Sequence, residues 1–142
     1  MNMNTNSIVT TAPKALIHDR YIPAGHYTVS VEGLYLYEFP QFPMFRAELR
    51  ILKGEYQNYC IALESYAFKG EYEEHMKNFL RSLFSDQWID YSNREEFIQL
   101  LQDVAGVVDG FVYEFDYKPC MCQNNFQLVN LVYKGHVDYE ER

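Results

Sequence analysis

The sequence predicts an α+β fold that is mainly β, with a helical insert between its third and fourth strands. Two observations predict it. Residues 26–37, 44–52 and 111–117 alternate apolar and polar side chains at the period of a half-buried strand, whereas 71–84 and 92–106 repeat apolar residues at helical spacing. Gly, Pro and Asp-Gly turn signals separate these stretches. A chain of 142 residues fits one domain, and a hydrophobic fraction of 48% excludes wholesale disorder.

Each element has its own justification. Residues 1–21 are polar and without period, which predicts a flexible N-terminal arm. Ile22-Pro23-Ala24-Gly25 is a turn that opens the domain, predicted to span 22–134. In the first strand, 26–37, Tyr27, Val29 and Val31 share one face and Thr28, Ser30 and Glu32 the other. Gly33 interrupts this run and predicts a bulge. Two prolines make 38–43 a loop. The second strand, 44–52, turns Phe45, Ala47, Leu49 and Ile51 inward and Arg46, Glu48 and Arg50 outward. Lys53-Gly54-Glu55 is a tight turn, and 56–68 is a third, less regular strand.

The helical insert covers about 71–106. In 71–84, Tyr72, Met76, Phe79, Leu80 and Leu83 form one face, with Glu71, Glu73 and Glu74 in the first turn, where the helix dipole favours anions. Ser92-Asn93-Arg94-Glu95 has capping-box spacing before a stripe of Phe97, Leu100, Leu101 and Val104, and Gly106 reads as the stop. Phe111, Tyr113, Phe115 and Tyr117 alternate in the fourth strand. The fifth, 126–133, is apolar on both faces and so predicted to be central. Residues 135–142 form an acidic tail. Three strands, two helices and two strands is the element order of the OB-fold, a five-stranded Greek-key barrel, and a first strand coiled at Gly33 suits a small barrel.

Composition narrows the chemistry. The formal charge is −8, from 12 basic and 20 acidic residues. It is unevenly spread: 1–22 sums to +1, 23–70 to −1 (four basic, five acidic), and 71–142 to −8 (six basic, fourteen acidic). The predicted barrel half is therefore near neutral, and net acidity alone does not exclude a nucleic-acid partner. Cys60, Cys120 and Cys122 are too few and wrongly spaced for a disulfide framework or a zinc knuckle, so no metal and no cofactor is predicted. His18, His26, His75 and His136 have no ligand-forming neighbours in sequence. Asp109 and Asp116-Tyr117-Lys118 have a compressed version of a nuclease acid…acid-x-Lys spacing, but Asp109-Gly110 reads more simply as a turn, and the chain is expected not to be an enzyme. No apolar run is long enough to cross a membrane, and the first residues carry no signal-peptide pattern, so a cytoplasmic location is expected.

Ile22-Pro23-Ala24-Gly25-His26-Tyr27, the run from Phe45 through Lys53-Gly54-Glu55-Tyr56, the helical insert and Phe126-Gln127-Leu128-Val129-Asn130 together carry a resemblance. Over residues 22–133 the chain resembles a family of small phage-encoded proteins of replication and recombination gene clusters. Their pattern is a Pro-x-Gly-x-Tyr opening, a Gly-x-Tyr turn, two helices and a closing strand pair. The resemblance implies an OB-like single-stranded-DNA-binding protein working in the host bacterial cytoplasm. Two departures stand out. Only Lys53 supplies charge at the turn where such proteins carry more, and the tail lacks a terminal Pro-Phe.

Single-strand binding needs exposed rings on which bases stack and a groove of modest positive charge. Tyr35, Tyr37, Phe39 and Phe42 with Arg46, Arg50 and Lys53 are the candidate surface. The plainer reading of the same residues is a solvated strand face with cross-strand charge pairs. A second hypothesis uses the acidity: Glu73, Glu74, Glu95, Glu96, Asp138, Glu140 and Glu141 would meet a basic protein, in the manner of an anti-CRISPR-like inhibitor of a host defence nuclease that mimics DNA. On the first hypothesis the same acidic tail recruits replication or recombination proteins. Homo-oligomerisation is compatible with both.

Overall fold

The computed structural model describes residues 7–10, 15–18, 21–38, 43–68, 70–83, 89–118 and 129–139. It contains β1 (Ser7–Thr10), β2 (Gly25–Glu38), β3 (Pro43–Ile51), β4 (Cys60–Tyr66), α1 (Gly70–Ser82), α2 (Arg94–Val107), β5 (Phe111–Tyr117) and β6 (Val129–Tyr139). The strands form one sheet in the order β1-β6-β5-β2-β3-β4. β2 to β6 are antiparallel to their neighbours, and β1 adds to β6 in parallel. β2, β3 and β4 run consecutively, and β5 returns through the helices to lie beside β2, which is Greek-key order. The class is the α+β, mainly-β one expected. Among the described residues no pairing joins β4 to β6, so the sheet is open where a closed barrel was expected.

Fourteen residues make β2 long enough to serve two partners. Gly25–Ser30 pairs with β5, Val29–Glu38 pairs with β3, and only Val29 and Ser30 face both. The register with β3 slips between Val31 and Gly33, which is the expected bulge. A Cβ on Gly33 would sit 2.1 Å from the Tyr35 hydroxyl and 2.4 Å from its ring, so the tyrosine lies across the glycine where no other residue leaves room.

One face of the sheet is apolar because the alternation of each strand places its aliphatic and aromatic residues there. Val29, Leu34, Phe45, Ala47, Leu49, Ile51, Ile61, Leu63, Tyr113 and Phe115 are buried with Met76, Phe79 and Leu80 of α1 and Phe97, Leu101 and Val104 of α2. Phe97 is the hub. Its ring packs at 4.7 Å from Tyr91, 5.3 Å from Phe68 and 6.2 Å from Phe45. The Tyr113 hydroxyl donates to the carbonyl of Leu83, just past α1, and the Tyr91 hydroxyl donates to Glu73. Burial pushes the pKa of both phenols up.

Four expectations are corrected. The capping box sits one residue later than expected: Asn93 accepts from the Glu96 N–H at 2.8 Å, and Glu96 accepts from the Ser92 N–H at 2.8 Å. α2 runs through Gly106 to Val107, and the left-handed glycine is Gly110 at φ 80°. The third strand starts only at Cys60, because 54–59 close a turn in which Asn58 takes φ 71° and donates its N–H to the Ile51 carbonyl. Parts of the expected arm, 1–21, and of the expected tail, 135–142, pair within the sheet. Ser7–Thr10 pairs with His136–Tyr139, and Ile17 bridges to Tyr59 beside β4. Of the strand expected to be central, 126–133, the described residues pair with β5 alone; β1 lies beside the later residues His136–Tyr139, and only His136 has partners on both sides.

This placement bends the sheet. Thr10 pairs beside β6 and Ile17 beside β4, seven residues apart. A chain of that length reaches at most about 25 Å, whereas six strand spacings in a flat sheet span about 29 Å. The two edges therefore curl towards each other. No helix is long and apolar enough to cross a membrane among the described residues.

Two substitutions read the core. Phe97→Ala removes the ring on which three aromatics pack and is expected to lower unfolding free energy by about 3–5 kcal/mol. Ser65 is fully buried on the helix-covered face, and its hydroxyl has no hydrogen-bond partner. Ser65→Ala removes an unpaired buried polar group and is expected to raise stability by about 1 kcal/mol in denaturant unfolding.

Candidate nucleic-acid interface

The helix-free face of the sheet carries the candidate residues, because they occupy the opposite alternation from the core. Register places them in cross-strand rows. Tyr37 pairs with Met44 and Met44 with Tyr66; Tyr35 pairs with Arg46 and Arg46 with Glu64; Gly33 pairs with Glu48 and Glu48 with Ala62; Ser30 pairs with Arg50 and Arg50 with Cys60. Thr28–Glu114 and His26–Asp116 continue the surface onto β5.

Tyr35 and Tyr37, expected as stacking rings, lie side by side. They are 40% and 39% exposed, with ring centroids 6.3 Å apart and planes 24° from parallel. The Tyr35 ring rests on Gly33, so one side of it is supported by backbone. Burial, then the charge of Glu48, holds its phenol pKa above the ordinary value, so it stays a neutral ring. Phe39 and Phe42, the other two expected rings, lie outside the described residues.

The expected cations behave differently. Arg46 donates through Nε to Glu48 at 2.8 Å and through Nη1 to Glu64 at 2.7 Å. Arg50 holds Glu32 bidentately, at 3.0 Å through Nε and 2.8 Å through Nη2, and donates to Asn58 Oδ1 at 3.2 Å. Its side chain is only 8% exposed. Burial works against the Arg46 charge, yet the hydrogen bonds to Glu64 and Glu48 outweigh it and hold its pKa above the ordinary value. Two guanidiniums thus meet three carboxylates, and Glu48 stands between the arginines along β3. The cross-strand charge pairing considered beside the functional reading is what the geometry contains. Lys53 is exposed in the turn at the far end of the face, near enough to help lower the Glu114 pKa.

The acidic candidates separate as well. Glu73 accepts from Tyr91, and Glu96 closes the capping box, so both have structural work. Glu74 is exposed, 3.7 Å from Arg81, and Glu95 is exposed beside the cleft lined by Phe68 and Tyr91. The side chain of Asp138, and Glu140 and Glu141 altogether, lie outside the described residues.

Two constellations escape sequence reading. His26 Nδ1 lies 2.8 Å from Asp116 and its Nε2 3.0 Å from Glu114. Carboxylates only accept, so a doubly protonated imidazolium suits both, and the hydrogen bonds to Asp116 and Glu114 raise the His26 pKa. The signal was available as His26-x-Thr28 opposite Glu114-x-Asp116, but only once those strands are paired. His18, Glu48 and Cys60 bring a nitrogen, an oxygen and a sulfur within 4.8 Å of one another. No single stretch of sequence holds that trio.

A comparison with models of known protein families finds no match, and none is found among curated protein sequences.

The His26 cluster makes stability depend on pH with a definite sign. A raised histidine pKa contributes stability that is complete below the ordinary value of 6.5 and is lost as pH rises through the folded value. The lowered Glu114 pKa contributes stability that is present above 4.5 and is lost as pH falls through its folded value. The difference in unfolding free energy between wild type and His26→Asn should peak between those two values and shrink above neutral pH. A difference that does not vary with pH contradicts the assignment.

Proposed function

We propose that this chain is a non-enzymatic single-stranded-DNA-binding protein that holds the strand by stacking bases on Tyr35 and Tyr37. The single observation that carries this reading is the exposed, near-parallel tyrosine pair on the helix-free face of a Greek-key sheet, seated on Gly33. Such rings suit any base, because every base has a π-face. The Greek-key order supports an OB-like fold left open between β4 and β6. In OB-folds the sheet face and the first connecting loop bind oligonucleotides, and here that loop follows Tyr37. The resemblance to phage replication and recombination proteins supports the same role, in the host cytoplasm and alongside the proteins of those pathways.

Pairing of Arg46 and Arg50 with carboxylates changes the expected mode of binding. Few phosphates would be neutralised, so affinity rests on rings more than on charge. A second reading, an inhibitor that blocks a basic host nuclease through an acidic surface, is favoured by one observation. Carboxylates outnumber guanidiniums on the sheet face, and Glu74, Asp90, Glu95 and Asp103 are exposed on the helical side. It predicts a stable stoichiometric complex with such a nuclease and no oligonucleotide binding.

Fluorescence anisotropy with a labelled oligo-dT tests the proposal. Tyr35→Ala and Tyr37→Ala are each expected to weaken binding by about 5- to 150-fold, from roughly 1–3 kcal/mol per stacked base. The log–log salt slope should be no steeper than about −1, one or so phosphates at −0.7 each. Absence of binding at low salt, or unchanged affinity in both variants, sinks it.

A further inference from the structure

On the same sheet face, close enough to Tyr35 for Glu48 and Cys60 to act on its phenol, the backbone clamps three metal-ligating side chains of different elements together. Ile17 donates its N–H to the Asn58 carbonyl at 2.9 Å and accepts from the Cys60 N–H at 2.8 Å. This parallel bridge sets Ile17 beside Tyr59, so the next residue, His18, falls beside Cys60. Glu48 pairs across the ladder with Ala62, two residues from Cys60 and therefore on the same face. The result is one imidazole nitrogen, one carboxylate oxygen and one thiol sulfur, all within 4.8 Å of each other.

The surroundings fit a cation. Glu48 gives one oxygen to Arg46 at 2.8 Å, which orients the carboxylate and leaves its other oxygen for a ligand bond. Cys60 is only 9% exposed and the Glu48 side chain 13%, while His18 is exposed and forms the rim of the site. A thiolate and a carboxylate together match the charge of a divalent ion, so the ion and its three ligands sum to zero. Mixed sulfur, nitrogen and oxygen donors are those of zinc, for which three protein ligands leave a fourth position open. Donor atoms around a tetrahedral zinc are about 3.5 Å apart, so the trio, all within 4.8 Å, closes by at most about 1.3 Å, within reach of rotamer adjustment at exposed His18.

We propose that His18, Glu48 and Cys60 form a zinc site that fastens the 15–18 segment to the edge of the sheet. Binding replaces the Cys60 S–H bond with a sulfur–zinc bond and releases one proton to solvent. Because the thiol must lose its proton to become a ligand, zinc affinity should rise with pH.

Cobalt(II) titration of the full chain with C120S and C122S tests this, because Cys60 is then the sole thiol. A thiolate-to-cobalt charge-transfer band with intense tetrahedral visible absorption should saturate at one equivalent, with zinc bleaching it and one proton released per ion. His18→Ala and Glu48→Gln should each weaken cobalt binding at least about 10-fold. Cys60→Ser should abolish the charge-transfer band while circular dichroism stays unchanged. Absence of the band in the parent overturns the site. So does full-strength binding in His18→Ala, which is exposed and has little reason to unfold.

Discussion

Everything on the helix-free face depends on β2 being shared. Its first six residues pair with β5 and its last ten with β3, overlapping only at Val29 and Ser30. A strand loaded that way must coil, and the bulge before Gly33 is where the register gives. The same glycine admits the Tyr35 ring against the backbone. Coiling also brings the two sheet edges close enough for the N-terminal segment to meet both. The fold, the tyrosine platform and the His18–Cys60 approach are thus consequences of one strand's divided pairing.

Charge on this face works inwardly. Arg46 and Arg50 span from β3 to carboxylates on β4 and β2, and these contacts tie the three strands at a defined register. Partly buried guanidiniums require such partners, since an unpaired charge there is costly. The cations that an electrostatic groove would need are therefore already engaged, and the exposed surface is left to aromatic rings. The proposed stacking of bases therefore draws little on phosphate attraction, in keeping with a chain of net charge −8.

Most of the secondary structure was legible in the sequence, and the reasons are local. Clean alternation marked β2, β3 and β5, and helical spacing with an acidic first turn marked α1. Errors arose where one residue had to be chosen among similar signals. Asn93 and Ser92 are both good caps, and the hydrogen bonds select Asn93. The four residues of β1 are too short to show a period, and their partner lies over a hundred residues away. The site was legible in residue type but not in role. Alternation alone puts Arg46 and Arg50 on one polar face of their strand, but the Glu partners of the arginines become visible only with cross-strand register: Glu32 lies 18 residues before Arg50, and Glu64 18 after Arg46. His18 with Cys60 depends on a bridge between a segment read as a loose arm and a turn.

The central claim is that bases lie on the Tyr35–Tyr37 pair. Aromatic NMR signals recorded during titration with an oligo-dT test it most directly. Stacking predicts upfield ring-current shifts that grow with oligonucleotide and are concentrated on Tyr35 and Tyr37, while buried Tyr113 stays fixed. Saturable binding that leaves both tyrosine signals unmoved contradicts it.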